Sequence, residues 1–347
     1  MKQEYVSYIR EQLHAVLGID SPSGCTEQVQ EYLCGTLRAM GYEPHRLKKG
    51  GVHVTLGGEG APLTLLSHAD TLGAVVQYIK PNGRLAISNM TLNVFNAEAE
   101  NVRVITRFDG AYEGTLQLCN ASVHVNPDPY QARDLNKNME IVLDYDVKTA
   151  EDVKKMGIRP GDAIALEPRL RITETGYVKS RYLDDKASVV ALLTLAKWVS
   201  DGKIRLPRRV DLLFTVFEEL GHGGACGIAD DTEELIAVDM GCVGDNVTCT
   251  ERQVSICAKD NSGPYKRTLT NKLIRCAERA QIDYAVDIYY SYSSDASVAI
   301  RVGYDVRHAL IGPGVYASHG YERTHLDGIF NTFALLRAYL EQDGEAQ

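Results

Sequence analysis

The stretch Val210–Ala225, VDLLFTVFEELGHGGA, decides how this chain is read. An apolar run of strand length ends in two adjacent carboxylates, Glu218 and Glu219, followed by a glycine-rich turn. A run rich in Val, Leu and Phe fits a buried strand of a parallel sheet. Open α/β sheets place their chemistry just beyond the carboxyl ends of such strands. Two neighbouring carboxylates there repel each other unless a positive charge sits beside them. A metal ion resolves the repulsion: one Glu ligates it and the other handles protons on a metal-bound water. An exposed Glu pair at a strand end is the plainer alternative, and the rest of the chain weighs against it.

Other segments repeat the pattern of an apolar run ending in a potential ligand. Leu63 to Leu66 leads into His68-Ala69-Asp70, and Leu235 to Val238 leads into Asp239. Asp184 and Asp185 stand immediately before a strongly apolar run of helix length, where a helix N-terminus also favours anions. Near the end, GPGVYASHGYERTH offers His319, Glu322 and His325. Together these are imidazole and carboxylate groups of the kind that zinc, cobalt or manganese accept.

His68-Ala69-Asp70, Leu183-Asp184-Asp185-Lys186, Glu218-Glu219, Gly221, Val238-Asp239 and a late His319 follow one another in an order that resembles the TET-type dinuclear metallo-aminopeptidases. These are glutamyl or deblocking aminopeptidases, some of them described as endoglucanases. The resemblance spans nearly the whole chain, from Ser21-Pro22-Ser23-Gly24 and Glu27 onward. It implies two divalent metal ions per subunit, with Asp184 bridging them. His68 and Asp239 would complete the protein ligands of one ion; Glu219 and His319 would complete those of the other. Glu218 would be the general base, and Asp70 would accept the second N–H of the His68 ring, fixing its tautomer. The implied reaction is hydrolysis of the N-terminal bond of peptides with a free amino terminus. The chain departs from the pattern at His222, where an Arg is frequent, and at Asp185-Lys186. His319 and His325 both compete for the last ligand position, and the close-following Glu322 favours His319.

Composition agrees with a soluble enzyme. A chain of 347 residues can form two domains with proper cores. Its net charge of −9 argues against general affinity for nucleic acid or anionic membranes. No run approaches the roughly 18 apolar residues of a spanning helix. The opening residues form a charged amphipathic pattern rather than a secretory signal, so a cytoplasmic location is expected. Eight cysteines with no Cys-x-x-Cys pair read as reduced, mostly buried small residues.

The organisation predicts an α/β fold: a mixed, largely parallel sheet with helices on both faces, as in zinc exopeptidases, plus an inserted small β-rich domain. Residues 1–72 and 164–347 form the catalytic domain. Residues 73–163 change character, with alternating segments Ala74–Ile79, Leu85–Ser88, Val102–Arg107 and Gly114–Leu118 between turn signals such as Pro81-Asn82-Gly83. His68 precedes this insert and the other candidate ligands follow it, so a single site requires the two flanks to fold together. The resemblance implies that the insert makes dimer contacts, with dimers assembling into a dodecamer; a lid without an oligomeric role is the alternative. Asp295 reads either as a site residue or as a helix N-cap, and Tyr289–Tyr292 as pocket wall or core cover. The tail from Glu341 reads as a solvated end.

Two other classes of function are open to these residues. One is a different amide hydrolase on the same ligands, such as a carboxypeptidase or deacylase. The other is a non-catalytic assembly or binding protein. A glycosidase using Glu218 and Glu219 is disfavoured, because its carboxyls must face each other across a sugar, roughly 5–9.5 Å apart.

Overall fold

The structure is a computed structural model and describes residues 2–345. The chain opens with helices α1 (Lys2–Leu17) and α2 (Glu27–Ala39), then strands β1 (His45–Arg46), β2 (Val52–Gly57) and β3 (Leu63–His68). Next come β4 (Ala74–Ile79), β5 (Leu85–Asn89), α3 (Val94–Ala97), β6 (Glu100–Ile105), β7 (Ala111–Leu118), β8 (Met139–Leu143), α4 (Ala150–Lys155) and β9 (Ala163–Leu166). After these follow β10 (Arg171–Ile172), β11 (Tyr177–Ser180), α5 (Leu183–Ser200), β12 (Val210–Thr215), β13 (Glu234–Val238), β14 (Gly241–Val243) and β15 (Val254–Asp260). The chain ends with β16 (Gly263–Pro264), α6 (Arg267–Arg279), β17 (Tyr284–Ile288), α7 (Asp295–Val302), β18 (Arg307–Tyr316), β19 (Glu322–His325) and α8 (Leu326–Glu345).

The chain divides into two compact units. One comprises Met1–Ser21, Thr26–Thr71 and Arg169–Gln347; the other comprises Pro22–Cys25 and Leu72–Pro168. The first unit is built on a mixed sheet in the order β1-β2-β12-β3-β13-β18-β19-β11-β10. Its centre, β12-β3-β13-β18, is parallel throughout. These strands are buried along their whole length or nearly so, which explains why they read as continuous apolar runs rather than alternating ones. Helices cover both faces. Ala296 and Ala299 of α7 join Leu66, Leu213, Leu235 and Ala237 in one core cluster. α5, almost entirely buried, packs on β3 and against α1 and α8.

The second unit is a closed barrel, β4-β5-β8-β7-β6-β9. Its half-buried strands alternate inward and outward residues, the pattern of a small barrel filled by side chains. Sequence reading passes over the closing strands β8 and β9, although Pro160-Gly161 stands just before the latter. At the other end, the tail from Glu341 continues α8 as helix to Glu345, and residues 346 and 347 lie outside the described residues.

Candidate metal centre

The centre begins with register. Leu66 of β3 lies level with Ala237 of β13, so His68 and Asp239, each two residues further on, emerge at the same height. Thr215, the last residue of β12, is level with His68. The chain then turns at Phe217, in the left-handed region at φ 71°, into a short 3-10 turn, Glu218–Leu220. From the helical side, Asp184 and Asp185 break the regular geometry of α5 at its first turn, and the peptide between them is cis. His319 arrives on the loop between β18 and β19.

These residues converge. His68 Nε2 lies 3.1 Å from Asp184 Oδ1 and 3.8 Å from Glu218 Oε2. His319 Nε2 lies 3.5 Å from Asp184 Oδ2 and 3.4 Å from Glu219 Oε2. Asp184 thus faces one imidazole with each of its oxygens. Two overlapping groups have ligand atoms within 4.8 Å of one another: His68, Asp184 and Glu219, and His68, Asp185 and Asp239. Asp185 belongs to the second group, although sequence reading gave it no ligand role; its position beside Asp184 was the available signal.

Supporting contacts orient the set. The Nδ1–H of His68 donates to the backbone carbonyl of Asp70 at 3.0 Å, while the Asp70 carboxylate is 3.6 Å away. That carboxylate accepts the Glu218 N–H at 3.2 Å, so Asp70 also fixes the start of the Glu turn. Ser67 donates to Asp185 at 2.5 Å, and Ser318 to Asp184 at 2.9 Å. Buried Glu322 accepts the N–H groups of both Asp184 and His319, each at 3.0 Å.

The electrostatics is that of an acid-rich pocket. Burial, reinforced by the neighbouring Asp184 charge, raises the pKa of Glu219 to about 8 and that of Asp239 to about 7. Burial likewise raises Glu218 well above the ordinary range, against the pull of His68. It opposes a charge on Asp184 too, but hydrogen bonds to His319 and His68 outweigh it and hold that carboxyl low. Burial disfavours a charged His319, but hydrogen bonding to Asp184 prevails and raises it to about 9. Among the described residues, Glu219 Oε1 and Asp185 Oδ1 are buried with no hydrogen-bond partner. Buried carboxylate oxygens are rarely left so. A cation would satisfy both atoms and relieve the like-charge repulsion, so the donor set fits divalent metal.

Other candidates fall elsewhere. His325 has both ring nitrogens engaged: Nε2 donates to Thr175 O at 2.7 Å and Nδ1 accepts the Asp327 N–H at 2.9 Å. It packs edge-on against Tyr177. His222 is exposed and stacks on Phe217. Asp295 is not an N-cap, because Ser294 caps α7. The Asp295 carboxylate is buried and accepts from Thr215 Oγ and from the Gly224 N–H, anchoring both sides of the Glu turn. Among the described residues none of the eight cysteines forms a disulfide, and four of them are only half-buried.

A cavity of about 710 Å³ adjoins the cluster, with Asp184, Glu218, Glu219, Asp239 and His319 in its wall. Tyr289, Tyr290 and Tyr292 form part of the remainder, alongside Val247, Ile288 and Val298. Asp245 and Arg301 add charge of both signs to the wall, which no short motif signals in the sequence.

The model of the M42 glutamyl aminopeptidase family matches residues 50–335. The Bacillus subtilis protein YhfE is 42% identical over 334 residues, covering 95% of this chain and 96% of its own. A glutamyl aminopeptidase of Lactococcus lactis is 25% identical over 230 residues, 62% of this chain and 61% of that protein. Among solved structures, a TET1 peptidase of Pyrococcus horikoshii superposes with a TM-score of 0.85 at 22% identity, covering 96% of this chain and 99% of that one. A TET aminopeptidase from a marine sediment thaumarchaeote reaches 0.87 at 18% identity, covering 97% and 99%. The last two show the shared fold. With most of its length matched by the family model and a relative above two-fifths identity, the chain belongs to the M42 glutamyl aminopeptidase family, hydrolases acting on peptides.

Proposed function

We propose that the protein removes single residues from the free amino termini of peptides, using two divalent metal ions, zinc or alternatively cobalt or manganese. The observation that carries the reading is the double cluster beside a cavity, with two buried carboxylate oxygens that lack partners among the described residues. His68, Asp184 and Asp239 would hold one ion, and Asp184, Glu219 and His319 the other. Bound there, such a pair polarises the scissile carbonyl and makes hydroxide available at neutral pH.

The remaining work falls to the chain. Glu218, half-buried at the cavity wall with its backbone held by Asp70, takes the proton of the attacking water and returns it to the departing amine. The surplus of carboxylates favours a cationic α-ammonium over a blocked terminus. The wall beyond the acidic cluster, tyrosines included, receives the first side chain.

Assembly is part of the proposal: the barrel unit makes dimer contacts on the way to a dodecamer. A related structure is described as a dodecamer, and another as forming a tetrahedron or a large octahedral shell. Phe95, Phe108 and Tyr130 of the barrel unit are 80%, 75% and 85% exposed, an apolar exposure that marks contact surfaces. Among the described residues no helix is long and apolar enough to cross a membrane.

The test is a panel of free and N-acetylated peptides offered to protein loaded separately with zinc, cobalt and manganese, with a chelated control. Release of single N-terminal residues, lost on acetylation and on chelation, is expected. Cleavage indifferent to the terminal amine would replace the reading with another amide hydrolase.

A further inference from the structure

We propose that Glu322 is a positioning residue that locks the segments bearing Asp184 and His319 into one arrangement, and thereby sets the affinity of the ion held by Glu219 and His319. The inference rests on the two-metal reading above.

Glu322 opens β19, is 2% exposed, and lies in register with Ser180 of β11. It therefore stands on a hydrogen-bonded ladder. The residues it holds do not. Asp184 sits where α5 loses helical geometry, at φ −77° and ψ 104°. His319 sits in a loop where two non-glycine residues, Ala317 at φ 58° and His319 itself at φ 62°, occupy the left-handed region. Such backbone persists only where its surroundings over-determine it. The two oxygens of Glu322 do so, one accepting the Asp184 N–H and the other the His319 N–H, each at 3.0 Å. Hydrogen bonds from N–H to a carboxylate are stronger than those between neutral groups. Ser318 Oγ, donating to Asp184 Oδ2 at 2.9 Å, is a second tie between the loop and Asp184. A single buried carboxylate thus ties two backbone irregularities to the β11–β19 ladder: one delivers His319 to the ion it shares with Glu219, and the other delivers Asp184, which the proposed ligand sets give to both ions.

Glu322→Gln keeps the volume but replaces one acceptor with an amide N–H2 that faces a second donor. Chelator-stripped wild type, E322Q and E322D would be titrated with zinc by calorimetry. Cobalt-loaded samples would be followed by visible absorption, with circular dichroism as the check on folding. Wild type should bind two ions per chain. E322Q should bind the ion of Glu219 and His319, which loses both of its tied ligands, about 10- to 100-fold more weakly, with a changed cobalt spectrum, and the other ion, which shares only Asp184, by a clearly smaller factor. The charge-retaining E322D, drawn back by one methylene, should show the same selective loss. Combining E322Q with H319A should add little to H319A alone, because both act chiefly on one ion. Equal affinities for both ions in E322Q and E322D would overturn the proposal. So would a parallel weakening of both sites accompanied by lost secondary structure. Fewer than two ions in wild type would instead overturn the two-metal reading, before any variant is compared.

Discussion

His68 and Asp239 reach the site from the ends of neighbouring parallel strands, whereas Glu218, Glu219 and His319 reach it from irregular turns. The first pair is placed by register alone: once β3 and β13 align, their C-terminal residues have nowhere else to go. The second group depends on left-handed residues, Phe217, Ala317 and His319, and on buried carboxylates that hold turn N–H groups. Asp70 holds Glu218, Asp295 holds Gly224, and Glu322 holds His319. A ladder positions a ligand by repetition. A turn positions one only when a second, buried acid is committed to it, so the site contains more carboxylates than its chemistry uses.

The comparison breaks most visibly at Glu218. Glu218→Gln should keep the metal content measured by elemental analysis and lose about 10²- to 10⁴-fold in turnover; near-normal peptide cleavage would remove Glu218 as the base. The ladder and loop ligands then part company in metal titrations. In the proposed ligand sets His68→Ala should weaken the ion shared with Asp239, and His319→Ala the ion shared with Glu219. Loss of the same ion in both variants would erase the distinction.

Smaller effects concern the anchors. Asp295→Ala leaves the Gly224 N–H and the Thr215 hydroxyl without their buried partner. It should cost about 1–3 kcal/mol in urea unfolding, with turnover falling through a loosened Glu turn. Gly224 is bound to the same anchor, since a Cβ there would lie 2.1 Å from the Asp295 carbonyl oxygen. The smallest effect is expected at His325. His325→Ala should cost about 1 kcal/mol for lost hydrogen bonds and leave metal stoichiometry unchanged; a lost ion would return it to the ligand set.

Much of this was legible from periodicity. β3, β4 and β13 lie close to the limits their apolar runs imply, because buried parallel strands and clean alternation both leave strong traces. The run into the Glu pair was shorter than it read: β12 stops at Thr215, since Val216 and Phe217 are apolar for packing yet already belong to the turn. Barrel closure by β8 and β9 was not legible, because pairing between distant segments depends on partners rather than on local pattern. Asp185 and Asp295 show the same limit within the site. Each is an acid at the start of a helix, and only the groups packed against it distinguish a cluster member from an anchor or a cap.

The sequence by itself determined which segments become buried strands and which acids and imidazoles stand at their ends, because burial and strand period are local properties of the chain. Tertiary structure alone decided which oxygen faces which imidazole, that His325 turns to Thr175 and Asp327, and that Glu322 joins two distant segments. Those contacts arise when distant parts of the chain meet in a buried space where every polar atom needs a partner, and no local pattern encodes them.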